Sequence, residues 1–243
     1  ELDVAAKAAG EIRTLRQWWA RKLCGRQDEP TYERAELHHA DLRDADLRLM
    51  DIDNFWLVGA DLTSADFSGA VISDSMFCGT KLDNAVFDDT TISESNFNGS
   101  YCLCASFDGA TLNEVQLVGA MMCRASFEET FFGRVNLTGA RLEEAYLPNA
   151  RLNRCDTEAV NFRGAYLPGA HFHDSSGCLF IDANLEGASF RCSDVDGAIF
   201  ARARLKGADL RAMTFGSAIL HGADITDARL CDMAEHWYVT KAP

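Results

Sequence analysis

Large apolar side chains recur at every fifth residue along most of this chain. Leu37, Leu42, Leu47, Ile52, Leu57, Leu62, Phe67, Ile72, Phe77, Leu82, Phe87, Ile92 and Phe97 open a run that continues with few lapses to Phe172. A second run, shifted in phase, goes from Phe180 through Leu185, Phe190, Val195, Phe200, Leu205, Leu210, Phe215, Leu220 and Ile225 to Leu230. Two positions before each centre stands a small residue, most often Ala. A period of five fits neither regular element: on an α-helix five residues advance about 140° around the axis, and on a flat strand an odd step puts the side chain on the opposite face. The centres share one core only if the chain turns a corner about every five residues. That defines a solenoid with the centre and the small residue inside and the other three positions outside.

Residue identities say how many sides close a coil. Gly59, Gly79, Gly99, Gly119 and Gly139 recur at twenty, as do Phe67, Phe87, Phe107 and Phe127, the trio Ile52, Ile72 and Ile92, and the Ala column from Ala45 to Ala165. Four five-residue sides give a square cross-section, about ten coils and, at about 4.8 Å per coil, a rod about 47 Å long. The Phe and Ala columns share one side, so each large residue has a small neighbour, as dense packing in a narrow core requires. The Gly column marks a corner, where positive φ is cheapest. Between Phe172 and Phe180 the step is eight, and the phase break over 173–179 ("HDSSGCL") is read as a bulge or short loop within one domain.

The repeat occupies 31–230, and its A(D/N)L units include Ala40-Asp41-Leu42, Ala60-Asp61-Leu62, Ala65-Asp66-Phe67, Ala183-Asn184-Leu185 and Ala208-Asp209-Leu210. These units resemble those of the pentapeptide-repeat family. The resemblance implies an all-β fold, a right-handed quadrilateral β-helix. Outside the repeat, Val4, Ala8, Ile12, Leu15, Trp19 and Leu23 fall at helical spacing, so 1–30 is expected to hold an amphipathic helix that caps the open edge of the first coil. Partner binding and membrane-surface binding are the weaker alternatives for that helix. In the tail 231–243, Trp237 and Tyr238 either shield the last coil or form a dimer contact; end-to-end homodimers are a property the resemblance brings with it.

Charge narrows the partner. With 37 acids against 23 bases the formal net charge is -14, which opposes direct binding to nucleic acid or anionic membrane and favours a protein with a basic surface. Nine cysteines, odd in number and without a metal-like rhythm, argue against a disulfide framework and for a reducing, cytoplasmic setting. A solid rod offers no concave site in which catalytic groups converge, and no phosphate loop, nucleophile elbow or zinc-protease motif is present, so neither an enzyme nor a cofactor is expected. The best metal candidate, His171-x-His173-Asp174 near Cys178, is disfavoured because Arg151 underlies His171 one coil earlier.

The acids carry more information. From Asp51 to Cys123 there are eleven acids and one base, Lys81. The twenty-residue coil stacks Asp88, Asp108 and Glu128 in one column and Asp74, Glu94 and Glu114 in another, with Asp89 and Glu129 at the intervening edge and Arg48 and Arg134 closing the ridge. Like charges about 5 Å apart in water repel by about 1 kcal/mol at most, so the stack needs no function to be tolerated. Its functional reading is a partner-binding ridge on a protein-binding rod. The family resemblance adds a sharper one: similar acidic rods among the quinolone-resistance proteins bind bacterial type II topoisomerase (DNA gyrase) in place of DNA.

Overall fold

The computed structural model describes residues 35–173 and 175–230. The expected N-terminal helix and the tail carrying Trp237 and Tyr238 lie outside these residues, as does Asp174. Within them the chain is a parallel β-solenoid with four sides. One ladder runs Asp41, Asp61, Lys81, Tyr101, and a second Asp46, Asp66, Val86, Ser106, each step twenty residues and each pairing parallel. A third side begins with β1 (Ala35–Glu36), paired with β3 (Phe55–Trp56), and continues through Met76 and Asn96. The fourth side is the most regular: β2 (Asp51–Asp53), β4 (Val71–Ser73), β5 (Thr91–Ser93), β6 (Thr111–Asn113), β7 (Phe131–Gly133), β8 (Arg151–Asn153) and β9 (His171–Phe172) form one sheet in that order. Its column continues through Ser189 and Asp209 to Arg229. Val, Ile and Thr dominate β4 and β5, residues whose branched side chains suit extended backbone.

The core follows the five-residue rhythm. Phe67, Phe87, Phe107 and Phe127 are fully buried, and their rings stack nearly parallel with centroids 4.5, 4.7 and 4.9 Å apart. Ala65, Ala85, Ala105 and Ala125 lie buried beside them. On the neighbouring side Phe77 stacks on Phe97 at 4.4 Å and meets Phe67 edge-on at 6.1 Å. Burial of each such ring contributes about 2–3 kcal/mol. Where Ser replaces Ala inside, its hydroxyl is used: Ser75 Oγ accepts from Phe55 N–H (3.0 Å) and donates to the Ser73 carbonyl (2.7 Å), and Ser95 Oγ accepts from Ser75 N–H (3.1 Å). Thr130 Oγ1 likewise donates to the Phe107 carbonyl at 2.6 Å. Polar groups therefore enter the core without unmet hydrogen bonds.

Left-handed backbone is not confined to the Gly column. The position two after each centre has positive φ at nearly every corner, whether it holds Gly79 (61°), Asp89 (55°), Glu94 (49°), Arg134 (53°) or Leu49 (57°). Glycine is the cheap solution there and not the only one, because coil-to-coil hydrogen bonds on both sides hold the corner in place. At Gly109 a second reason operates: a Cβ would lie 2.6 Å from the Asp89 carboxylate, which rests over this corner.

At the phase break, expected as a bulge or short loop, the coil is two residues shorter than elsewhere. Pairing jumps by eighteen residues, as in Asn161 to Leu179, Tyr166 to Asn184 and His171 to Ser189, and then returns to twenty from Leu179 to Ile199. Ser175 is buried in the position of a centre, only three residues after Phe172. The core passes through undisturbed, with Phe162 stacked on Phe180 at 5.1 Å and Phe172 on Phe190 at 4.6 Å.

Candidate functional site

The acids expected to form a ridge do line adjacent columns, and they divide into two kinds. Asp88 and Asp108 are half-buried and work within the fold. Asp88 Oδ1 accepts from Ser106 Oγ (2.5 Å) and Asp108 N–H (3.2 Å), and Asp108 Oδ1 accepts from Ser126 Oγ (2.6 Å) and Glu128 N–H (2.8 Å). Each carboxylate thus fastens the next coil. Asp74, Asp89, Glu94, Glu114, Glu128 and Glu129 are exposed. Glu114 pairs with Arg134 at 2.5 Å, and Arg48 reaches Asp46 at 2.9 Å and Asp66 at 3.5 Å, so both arginines that close the ridge are ion-paired, Arg134 to a ridge acid and Arg48 to acids outside it. Among the described residues, Asp74, Asp89, Glu94, Glu128 and Glu129 have no ion-pair partner. These five are the carboxylates free to meet a partner's cations.

The ridge flanks the flat fourth side. Asp89 and Glu129 occupy the corner before its strands, and Asp74, Glu94 and Glu114 occupy the corner after them. Between the corners the outward residues are small: Val71, Ser73, Thr91, Ser93, Thr111 and Asn113. The result is a smooth strip about 10 Å wide with carboxylates along both edges.

Past Glu128 the neighbouring ladder, which runs through Ser106 and Ser126, changes character. Tyr146 and Tyr166 stack on each other at 5.1 Å, both about two-fifths exposed, beside Pro148 and Pro168, which follow at the same spacing. Burial, with the nearby Glu128 carboxylate adding to it, pushes the Tyr146 hydroxyl above its ordinary range. Sequence reasoning missed this aromatic end of the ridge, although the twenty-residue spacing of the two tyrosines signals it.

The interior thiols are chemically quiet. Burial pushes Cys102 up to about 12 and Cys155 up to about 11, far from the thiolate that nucleophilic chemistry requires. The two histidines of the metal candidate, His171 and His173, are both exposed, and Arg151 pairs in register with His171 as the coil arithmetic implies. No cluster of metal-ligating residues occurs among the described residues.

Four parallel ladders around a stacked-ring core, with one residue in five turned left-handed, define a β-solenoid repeat protein. The family model for pentapeptide repeats matches in eight copies over 51–84, 92–128, 100–139, 178–215 and 198–232, more than half of the chain. The chain belongs to the pentapeptide-repeat family. Among solved structures it is similar to HetL, a pentapeptide repeat protein involved in heterocyst differentiation regulation from the cyanobacterium Nostoc sp. strain PCC 7120, with 23% identity, a TM-score of 0.52 and coverage of 89% of this chain and 94% of that one. It is also similar to QnrB1, a plasmid-mediated fluoroquinolone resistance protein, with 22% identity, a TM-score of 0.52 and coverage of 74% and 90%. At these identities the likeness establishes the shared fold. A comparison with curated protein sequences gave no match.

Proposed function

We propose that the protein is a non-enzymatic, protein-binding rod of the cytoplasm that presents its acidic half to a basic protein surface. The observation that carries this reading is the set of five exposed, unpaired carboxylates along two edges of one smooth side. An edge-to-edge array of this kind gains from many weak contacts at once and steers a basic partner from a distance. The stacked Tyr146 and Tyr166 next to Glu128 add a surface suited to arginine, whose guanidinium lies flat on aromatic rings. The exposed thiols Cys104 and Cys192 fit a reducing compartment.

A sharper second reading is that the partner is bacterial type II topoisomerase and that the ridge replaces DNA there. It is supported by the stacked, evenly spaced acids and by the fold shared with a fluoroquinolone resistance protein. The test is a gyrase supercoiling assay with the protein beside a variant carrying Asp74→Asn, Glu94→Gln, Glu128→Gln and Glu129→Gln. Inhibition or drug protection at micromolar protein that disappears in the variant supports the mimic. No effect of the unaltered protein at tens of micromolar excludes topoisomerase and leaves the broader reading to be pursued with other basic partners.

A further inference from the structure

The far end of the fourth side inverts the chemistry of the ridge. A shallow depression there is lined by Phe131, Arg151, Asn153, His171, His173 and Arg191, with no carboxylate among the described residues of its wall. The ladder fixes the arrangement. Phe131 pairs with Arg151, Arg151 with His171, and His171 with Ser189, so successive side chains stand one rung apart, about 4.8 Å. His173 follows β9 two residues after His171, and Arg191 stands two residues along from Ser189, the partner of His171. Two guanidiniums and two imidazoles therefore bound a patch about 5–10 Å across, all four exposed.

Arg151 and Arg191, like Arg154, Arg163 and Arg229, stand apart from the ion-paired arginines of the rod. Arg43, Arg48, Arg124, Arg134, Arg141, Arg202, Arg204 and Arg211 are all ion-paired. Among the described residues Arg151 and Arg191 have no carboxylate partner. The acid one rung further on, Asp209, is already held by Arg211 at 2.6 Å. At the opposite edge of the depression Phe131 is half-buried, and its ring shares the space above Gly133 with the Asn113 side chain: a Cβ there would meet Asn113 Oδ1 first and Phe131 Cε1 at 2.8 Å. Gly133 thereby lets an aromatic ring settle against the sheet directly beside the cations.

We infer that this depression is a binding site for a nucleotide, with the phosphates on Arg151, His171, His173 and Arg191 and the planar base against Phe131. Arginine forks bind phosphate oxygens in pairs, and imidazole N–H groups donate to them in either protonation state. The distance from the Phe131 rung to the Arg191 rung is about 14 Å, three steps of the ladder, which suits an extended nucleoside triphosphate better than a lone phosphate. The chain's overall negative charge weakens binding of long polyanions, while a small ligand within a Debye length, about 8–10 Å, senses mainly the local cations.

Isothermal titration calorimetry of the whole protein with ATP and, separately, with inorganic pyrophosphate tests this assignment. ATP should bind in the range of ~10–500 μM and pyrophosphate more weakly. Arg151→Gln with Arg191→Gln should lower both affinities about tenfold or more, whereas Phe131→Ala should weaken ATP alone. Arg202→Gln with Arg204→Gln, on other sides of the rod, should change neither. Circular dichroism of each variant checks that the rod is intact. Absence of binding to either ligand at 5 mM (~3 kcal/mol) overturns the site. Equal weakening by the remote arginine pair shows only diffuse charge attraction and overturns it too. Pyrophosphate binding that Phe131→Ala leaves equal to ATP binding overturns the nucleotide assignment.

Discussion

The two halves of this rod share one backbone and differ in what they show to water. From β4 to β6 the fourth side is a plain strip of Val, Thr, Ser and Asn between rows of carboxylates; from β7 onward the same rungs carry Phe131, Arg151, His171, His173 and Arg191. Inside, the halves are interchangeable. Phe87 on Phe107 (4.7 Å) and Phe180 on Phe200 (4.9 Å) are the same contact, one on each side of the shortened coil. The repeat therefore separates two tasks that most folds entangle. Centres and small residues specify the solenoid, and the outward positions are free to be written independently, coil by coil, as charge, aromatic surface or plain strip.

The comparison breaks most forcefully if the interiors are not equivalent. Phe107→Ala and Phe190→Ala should each cost about 3–5 kcal/mol, since each removes a fully buried ring from a stack that cannot collapse around the gap. Urea denaturation would show both midpoints falling sharply, and a loss under 1 kcal/mol at either site would mean that the stacks do not carry the rod. A smaller effect separates structural acids from surface acids. Asp108→Ala leaves Ser126 Oγ–H and Glu128 N–H without their acceptor and should cost about 1–2 kcal/mol, while Asp108→Asn keeps an acceptor oxygen and Glu129→Gln disturbs nothing inside.

Thiol mapping sharpens the inside–outside distinction within a single turn. Cys104 is exposed and Cys102, two residues earlier, is buried with its thiol pushed up to about 12. Alkylation followed by peptide mass analysis should label Cys104 and Cys192 within minutes and leave Cys102, Cys155 and Cys178 unlabelled until the rod unfolds. Early labelling of Cys102 would show that the coils open locally. The smallest effect is that of acid. Side-chain hydrogen bonds from Arg43 and Arg211 hold Asp41 and Asp209 down to about 2. Depressed carboxylates stabilise the folded state above their unfolded range near 3.9, and the contribution fades as pH falls from there through about 2. Thermal melting points should be flat from pH 8 to 5 and decline slightly below 4. A steep loss already at pH 6 would implicate other groups.

Almost all of the fold was legible in the sequence, because a five-residue period has no regular-element solution and a twenty-residue identity period closes the coil in four sides. Two features were less so. A step of eight between Phe172 and Phe180 announces a break but hides its sign, since the intervening centre is polar Ser175. The left-handed corners beyond the Gly column leave no compositional trace, because Asp, Glu, Arg and Leu all serve there once the ladders hold them. For the ridge, the stacking of Asp88, Asp108 and Glu128 follows from arithmetic. That Asp88 and Asp108 spend their carboxylates on the next coil depends on rotamers and hydrogen bonds, which periodicity does not encode.

The central claim is that the position of the acids, and not the total charge, makes the partner surface. Two four-substitution variants of equal charge test it directly in a gyrase-binding titration at physiological salt. One neutralises Asp74, Glu94, Glu128 and Glu129; the other neutralises Asp156, Glu158, Asp194 and Asp227, exposed acids of the opposite half. The account predicts that the first loses tenfold or more in affinity, about 1.4 kcal/mol, while the second stays within twofold of the unaltered protein. Equal losses in the two variants would contradict it.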